Sequence, residues 1–242
     1  MFARRRIIVS LLLAASLILV GSLFCRHRMP RETEPVAAVP GSSADVLTAL
    51  RHGNGRFVNS ARTLSIDTAH DDQLRHVTAQ EQHPLAAILC CSDSRVCPEF
   101  IFDQPEGSFF EIRNAGNVVD GDVLGSLEYA IEHLHVPLVL VLGHTRCGAV
   151  KAVHEAADAP LHDHLGVLQQ HMPCVSQHAH EHGGASQPKV LDQLSLENAK
   201  QQSQILMKEC PLLKRAIAKG ETRLICGIYD VESGAVEFCD PQ

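Results

Sequence analysis

An α/β fold with a mainly parallel central β-sheet flanked by helices is predicted by three features of the sequence. Residues 85–91 and 138–144 are short, continuous apolar runs, as expected of parallel strands covered on both faces. Residues 122–134, between them, place Leu124, Leu127, Ile131 and Leu134 on one helical face, which suits a crossover helix packed on the sheet. Residues 223–229 read as a further strand; the turn at 230–234 leads back into 235–238, adding a C-terminal antiparallel hairpin.

From the amino terminus, Arg4, Arg5 and Arg6 precede an uncharged apolar run over residues 7–24. That pattern is either an export signal or a membrane anchor, with the basic cluster favouring a cytoplasmic amino terminus. Residues 25–42, with Pro30, Pro35 and Pro40, read as a linker that holds the following domain off the membrane. The expected location is therefore periplasmic, or anchored to the inner membrane with the domain outside the cytoplasm. Residues 43–242 are expected to form one domain, long enough for a single sizeable core. The net charge of −7 argues against a nucleic-acid partner. Within the domain, residues 148–155 and 195–219 are helical in pattern, and residues 160–188 form a His-rich loop region.

The chemistry concentrates where the two apolar runs end. Cys91-Ser92-Asp93-Ser94-Arg95 follows the first run and His144-Thr145-Arg146-Cys147 the second. Ligands of open α/β sheets gather at the C-terminal ends of strands, so the two motifs converge if their strands are neighbours. Two thiols and one imidazole match a zinc site with three protein ligands and an open position for a reactive water. His144 and Cys147 lie three residues apart at the entry to a helix, so both can face one metal, and a helix N-terminus favours the Cys147 thiolate. Ionised Asp93 can only accept hydrogen bonds, and the Arg95 fork matches a carboxylate and keeps it ionised.

These motifs, Cys-x-Asp-Ser-Arg followed by His-x-x-Cys, resemble those of the β-class carbonic anhydrases. The resemblance continues through Gly53-Asn54-Gly55-Arg56-Phe57, Gln82-His83-Pro84, Arg113-Asn114-Ala115-Gly116-Asn117, Ser126-Leu127-Glu128-Tyr129-Ala130 and Gly227-Ile228-Tyr229-Asp230, covering about residues 43–242 in order. It implies reversible hydration of carbon dioxide to bicarbonate and a proton by hydroxide on Zn2+, with Cys91, His144 and Cys147 as ligands. Asp93 would orient that hydroxide; the resemblance also implies a closed state in which Asp93 leaves Arg95 and becomes the fourth ligand. Gln82 matches an amide donor to substrate oxygen, and Gly148 a glycine beside the site. Arg113 and Asn114 would hold the strand-to-loop junction. A homodimer or higher even oligomer is implied, with the helices after residue 43 embracing the partner. The chain has no Trp, which argues against the inhibitory bicarbonate pocket of some relatives in its familiar form.

Seven further cysteines lie outside the ligand set, one of them, Cys25, in the amino-terminal segment. Cys90 points to the sheet face opposite Cys91, and Cys97, Cys210, Cys226 and Cys239 sit in apolar contexts typical of buried thiols. Cys174 is the more exposed of them, and an oxidising compartment could pair some. The histidines at 162, 164, 171, 178, 180 and 182 read as a solvated loop, with metal gathering and proton buffering as alternatives. Two rival functions keep the zinc: hydrolysis of carbon disulfide or carbonyl sulfide at the same site, and a non-catalytic zinc-binding protein using the His-rich stretch.

Overall fold

Ala86–Cys91 (β1), Phe109–Asn114 (β2), Leu138–His144 (β3), Arg223–Tyr229 (β4) and Val236–Cys239 (β5) form one sheet in the order β2-β1-β3-β4-β5. The structure, a computed structural model, describes residues 41–63, 74–76, 78–157, 159–183 and 187–240. The segment read as a signal or anchor, and the linker up to residue 40, lie outside the described residues. Among the described residues, no helix is long and apolar enough to cross a membrane.

The first four strands of that order are parallel and β5 runs antiparallel to β4. The mixed sheet predicted from the sequence is therefore present. Every residue of β1 and β3 is buried, which accounts for their unbroken hydrophobicity. The two strands pair directly, Cys90 opposite Leu142, so Cys91 and His144 emerge at the same sheet edge. The strand at Phe109–Asn114 was signalled only by the junction that the resemblance implies at Arg113 and Asn114, because its burial is interrupted by half-buried and exposed residues and no apolar run marks it.

The helices are Ser43–Val58 (α1), Pro98–Ile101 (α2), Gly121–Glu132 (α3), Gly148–Ala156 (α4), Gly166–His171 (α5), Pro173–His182 (α6), Pro188–Glu209 (α7) and Pro211–Ala218 (α8). Ser42 starts α1 by accepting a hydrogen bond from the Asp45 amide, and Asp120 starts α3 by accepting one from Val123. Alternate strand residues serve two cores. Ala87, Leu89, Val139 and Val141 pack with residues of α3, α7 and α8, while Ala86, Ile88, Leu138 and Leu140 pack with residues of α1 and α2. Gly53 lets α1 approach the chain closely, since a Cβ there would fall 1.7 Å from the Phe102 carbonyl oxygen. Beside it Asn54 donates to the carbonyls of Ile101 and Gly234 and accepts from the Val236 amide, tying α1 to the hairpin end of the sheet.

Four expectations need correction. The buried face of α3 is Val123, Leu127, Ala130 and Ile131; Leu124 and Leu134 flank it, partly buried. The helical pattern at 195–219 is two helices, because Pro211 has no amide to donate and pushes Cys210 into an extended conformation. The His-rich stretch is largely helical, and His178, His180 and His182 lie on α6. Met172, Val175 and Ala179 anchor that helix, burying its inner face among residues of α4 and α7. Cys226 and Cys239, read as buried thiols with pairing of some cysteines left open, are joined as a disulfide between directly opposite residues of β4 and β5.

Candidate metal centre and active site

At the C-terminal edge of β1 and β3, the ligand atoms of Cys91, His144 and Cys147 all lie within 4.8 Å of one another, and all three residues are buried. Cys91 ends β1, His144 ends β3, and Cys147 is the N-cap residue of α4. The turn between the last two is held open by Arg146, whose backbone is left-handed (φ 55) and whose amide donates to Asp192 Oδ1 at 2.7 Å. The Arg146 side chain also pairs with Glu232. Thr145 fixes the same turn from the other side, its amide on the Tyr229 carbonyl and its hydroxyl accepting from the Val231 amide.

The donor set fits a divalent metal on its own chemistry. His144 Nδ1 lies 2.9 Å from the Thr145 carbonyl oxygen, which places the proton on Nδ1 and leaves Nε2 as the bare donor. That Nε2 is buried without a hydrogen-bond partner among the described residues. A buried lone pair is costly to leave unused, and here it faces two sulfurs. The Cys91 thiol is pushed down to about 4, chiefly by hydrogen bonding from Cys147, with the Gly116 amide adding to it, against the opposing effect of burial. Cys147 moves the opposite way, because hydrogen bonding to Cys91 and burial both hold its proton in place. The pair therefore gives up one proton readily and retains the second, and a divalent cation would release it.

Asp93 and Arg95 stand beside these donors. Arg95 Nε donates to Asp93 Oδ1 at 2.9 Å, a terminal guanidinium nitrogen donates to Oδ2 at 2.8 Å, and the Arg95 amide adds a third bond at 3.0 Å. This grip holds the Asp93 carboxyl well below the usual carboxylate range. Asp93 Oδ2 is 4.0 Å from His144 Nε2, close to the donor cluster but engaged with Arg95. Arg113 bonds the carbonyls of Cys91, Asp93 and Val96, clamping the loop that carries the first motif; this agrees with the structural part expected of it. Asn114 closes the next loop through both amide atoms onto Val118.

Of two further residues expected at the site, Gly148 lies beside the donors, directly after Cys147, and Gln82 does not. Gly148 is the first residue of α4, exposed, with open space where a Cβ would stand, so no steric need for glycine arises there. Gln82 is exposed on the segment before β1, at the strand end opposite Cys91, so the described chain does not by itself bring its amide to the donors.

Other contributors were not singled out from the sequence. The Gly116 amide donates to Cys91 Sγ at 3.3 Å, and its φ of 78 together with the packing of Met172 demands glycine. From α7, Asn198 holds the Gly116 carbonyl and Gln202 holds the Val119 amide. These two, with Ser195 and Ser203, are fully buried polar residues at helical spacing. Polar residues in line with Leu191, Leu194 and Leu206 were the available signal. A recess of about 530 Å3 opens against the same loop, lined by Ala115, Val118, Leu165, Val167 and Leu168 among others; it lies beside the donors rather than over them.

Comparison with known proteins agrees with this geometry. The family model described as carbonic anhydrase matches residues 86–236. Carbonic anhydrase 2 of Mycobacterium tuberculosis is 36% identical over 211 residues, spanning 86% of this chain and 94% of that protein. A carbonic anhydrase of Mycolicibacterium smegmatis is 46% identical over 110 residues, 46% of this chain and 52% of the relative. Among solved structures, the β-carbonic anhydrase CcaA matches with a TM-score of 0.63 at 26% identity, covering 79% of this chain and 94% of that one. The β-carbonic anhydrase CafA of Aspergillus fumigatus matches equally well, with a TM-score of 0.63 at 26% identity, covering 81% and 91%. By its motifs, its sheet and these likenesses, the chain belongs to the β class of the carbonic anhydrase family.

Proposed function

We propose that the chain interconverts carbon dioxide and bicarbonate with one zinc ion held by Cys91, His144 and Cys147. The observation that carries this reading is the buried, unpartnered His144 Nε2 set within 4.8 Å of two buried sulfurs. A zinc ion bound there supplies Lewis acidity that brings the pKa of a water towards neutrality. The remaining work falls to the chain.

Asp93, kept ionised by Arg95, can only accept, so it would accept a hydrogen bond from the attacking oxygen and turn a lone pair towards the substrate carbon. Its engagement with Arg95 favours the open arrangement of the site over the one closed by Asp93. Arg113 and the Gly116 amide keep the Cys91 loop fixed while charge develops. Gln82 enters this reading through assembly: its exposed amide serves a site only when two copies pack so that the start of β1 approaches the ligand loops.

A homodimer or higher even oligomer is part of the proposal. Leu165 and Val167 are 56% and 43% exposed on the recess beside the site, an apolar surface suited to a second copy. Location outside the cytoplasm is proposed from residues 1–24, and the Cys226–Cys239 disulfide supports it, since such bonds persist in oxidising compartments. Metal analysis tests the zinc assignment. One zinc per chain is expected in the wild type and at least about a hundredfold weaker retention in Cys147→Ser, beyond the effect of losing an outer-shell partner. Full zinc retention in that variant would refute the ligand set.

A further inference from the structure

A second group of imidazoles is built between α4 and α6, apart from the Cys91, His144 and Cys147 donors. His154 lies two turns along α4 from Cys147 and is 1% exposed. Its Nε2 is 3.1 Å from Nδ1 of His178 on α6. One turn further along α6 is His182, whose ring centroid is 4.5 Å from that of His178. The row therefore runs from the core to the surface: His154 buried, His178 half-buried, His182 exposed.

Two facing ring nitrogens of neutral imidazoles share a single proton. Burial, followed by the neighbouring His178, favours the neutral form of His154; Glu155 acts the other way and His182 with burial. When the shared proton sits on His178 Nδ1, His178 Nε2 is a bare donor atom directed away from His154. A metal-ligating histidine characteristically has its other nitrogen tied in this way, which fixes tautomer and ring orientation. Histidines four apart on one helical face can ligate a single ion. The Glu181 carboxylate, 3.9 Å from His182 Nε2, offers an anionic oxygen at the same rim. A recess of about 220 Å3, bordered by Gln193 and Glu197 with Lys189 at its edge, adjoins the row on the His178 side.

We propose that His178 and His182 bind a second divalent ion of the borderline class, Zn2+, Ni2+ or Cu2+, and that His154 is the positioning residue that sets the His178 tautomer. Imidazole donors select these ions over magnesium or calcium. Because the His154 to His178 bond joins α6 to α4, occupancy of this site also braces the helix that begins at Cys147.

The test is calorimetric titration of the full-length, zinc-loaded protein with Ni2+, with bound nickel and zinc counted after gel filtration. The wild type is expected to take up one nickel per chain without losing its resident zinc. His182→Ala, at an exposed position, and His178→Ala should each weaken nickel binding at least tenfold, and the double variant should abolish it. His154→Leu should weaken it roughly 10- to 100-fold, the range for removing such an outer partner. His154→Gln, which keeps an acceptor, should recover part of that loss. No nickel uptake, or uptake surviving the His178→Ala/His182→Ala double variant, overturns the proposal; unchanged affinity in His154→Leu overturns the positioning role. Cys147→Ser should lose zinc yet keep the nickel site, so failure at one site is distinguishable from failure at the other.

Discussion

Arg95 grips Asp93 with its side chain and its own amide, through contacts of 2.9, 2.8 and 3.0 Å, and so fixes the carboxylate 4.0 Å from His144 Nε2. A carboxylate held in this way stays ionised and keeps its lone pairs pointed at one place. Asp93→Asn is therefore expected to retain zinc and lose carbon dioxide hydration by about 100-fold or more, the scale of one lost preorganised hydrogen-bonding group. Arg95→Ala should lose activity as well, because the freed carboxylate can turn to the donors. Undiminished turnover in Asp93→Asn, at equal zinc content, would remove Asp93 from the mechanism.

Gly116 couples backbone conformation to the first sulfur. Its φ of 78 is left-handed, and a Cβ there would meet the buried Met172 at 1.9 Å. Gly116→Ala should cost about 1–2 kcal/mol from the backbone alone, more with the clash, and should weaken zinc binding by disturbing the amide on Cys91. Gly116→Ala combined with Met172→Ala relieves the clash but leaves the backbone strain. Denaturant unfolding of the two variants separates these contributions, and a Gly116→Ala protein as stable as the wild type would contradict this account of the loop.

The difference between what was and was not legible in the sequence follows the same line. Cys91, Asp93, Arg95, His144 and Cys147 were readable because each pair or triplet is local and follows a buried strand, so strand neighbourhood was the one long-range inference. Gly116, Asp192, Asn198 and Gln202 act on those loops across tertiary contacts, and local spacing carries no record of such pairings. Strand β2 was hidden by its mixed burial, and the helical character of 173–182 by histidines that mask the Val175 and Ala179 anchor. The Cys226–Cys239 pairing needed the β4–β5 register, which composition does not give.

That disulfide closes the terminal hairpin across a sequence separation of 13 residues. Replacing both cysteines by Ser should lower stability by about 2–4 kcal/mol on the chain-entropy scale. A phosphine reductant should lower the Tm of the wild type and leave that of the double variant unmoved. Equal Tm with and without reductant in the wild type would show that the bond does not stabilise the domain.

Glu111 predicts a pH dependence. Its carboxyl is pushed up to about 7, first by burial and then by Glu99, with Arg113 opposing. A carboxyl raised in the folded state contributes its full stability below the unfolded value and loses it as pH rises through the folded one. Glu111→Gln should therefore leave stability unchanged near pH 4 and raise it by on the order of 1–2 kcal/mol above pH 7, allowing for partial solvent screening. Denaturant midpoints measured across that range check the sign, and a loss of stability at pH 8 would contradict it.

Stopped-flow carbon dioxide hydration by the full-length protein, with zinc content quantified and pH varied from about 6.5 to 9 around the expected water pKa, tests the central claim most directly. The account predicts activity that rises with pH, scales with bound zinc and disappears in Cys147→Ser. One zinc per chain with no hydration at any pH in that range would contradict it.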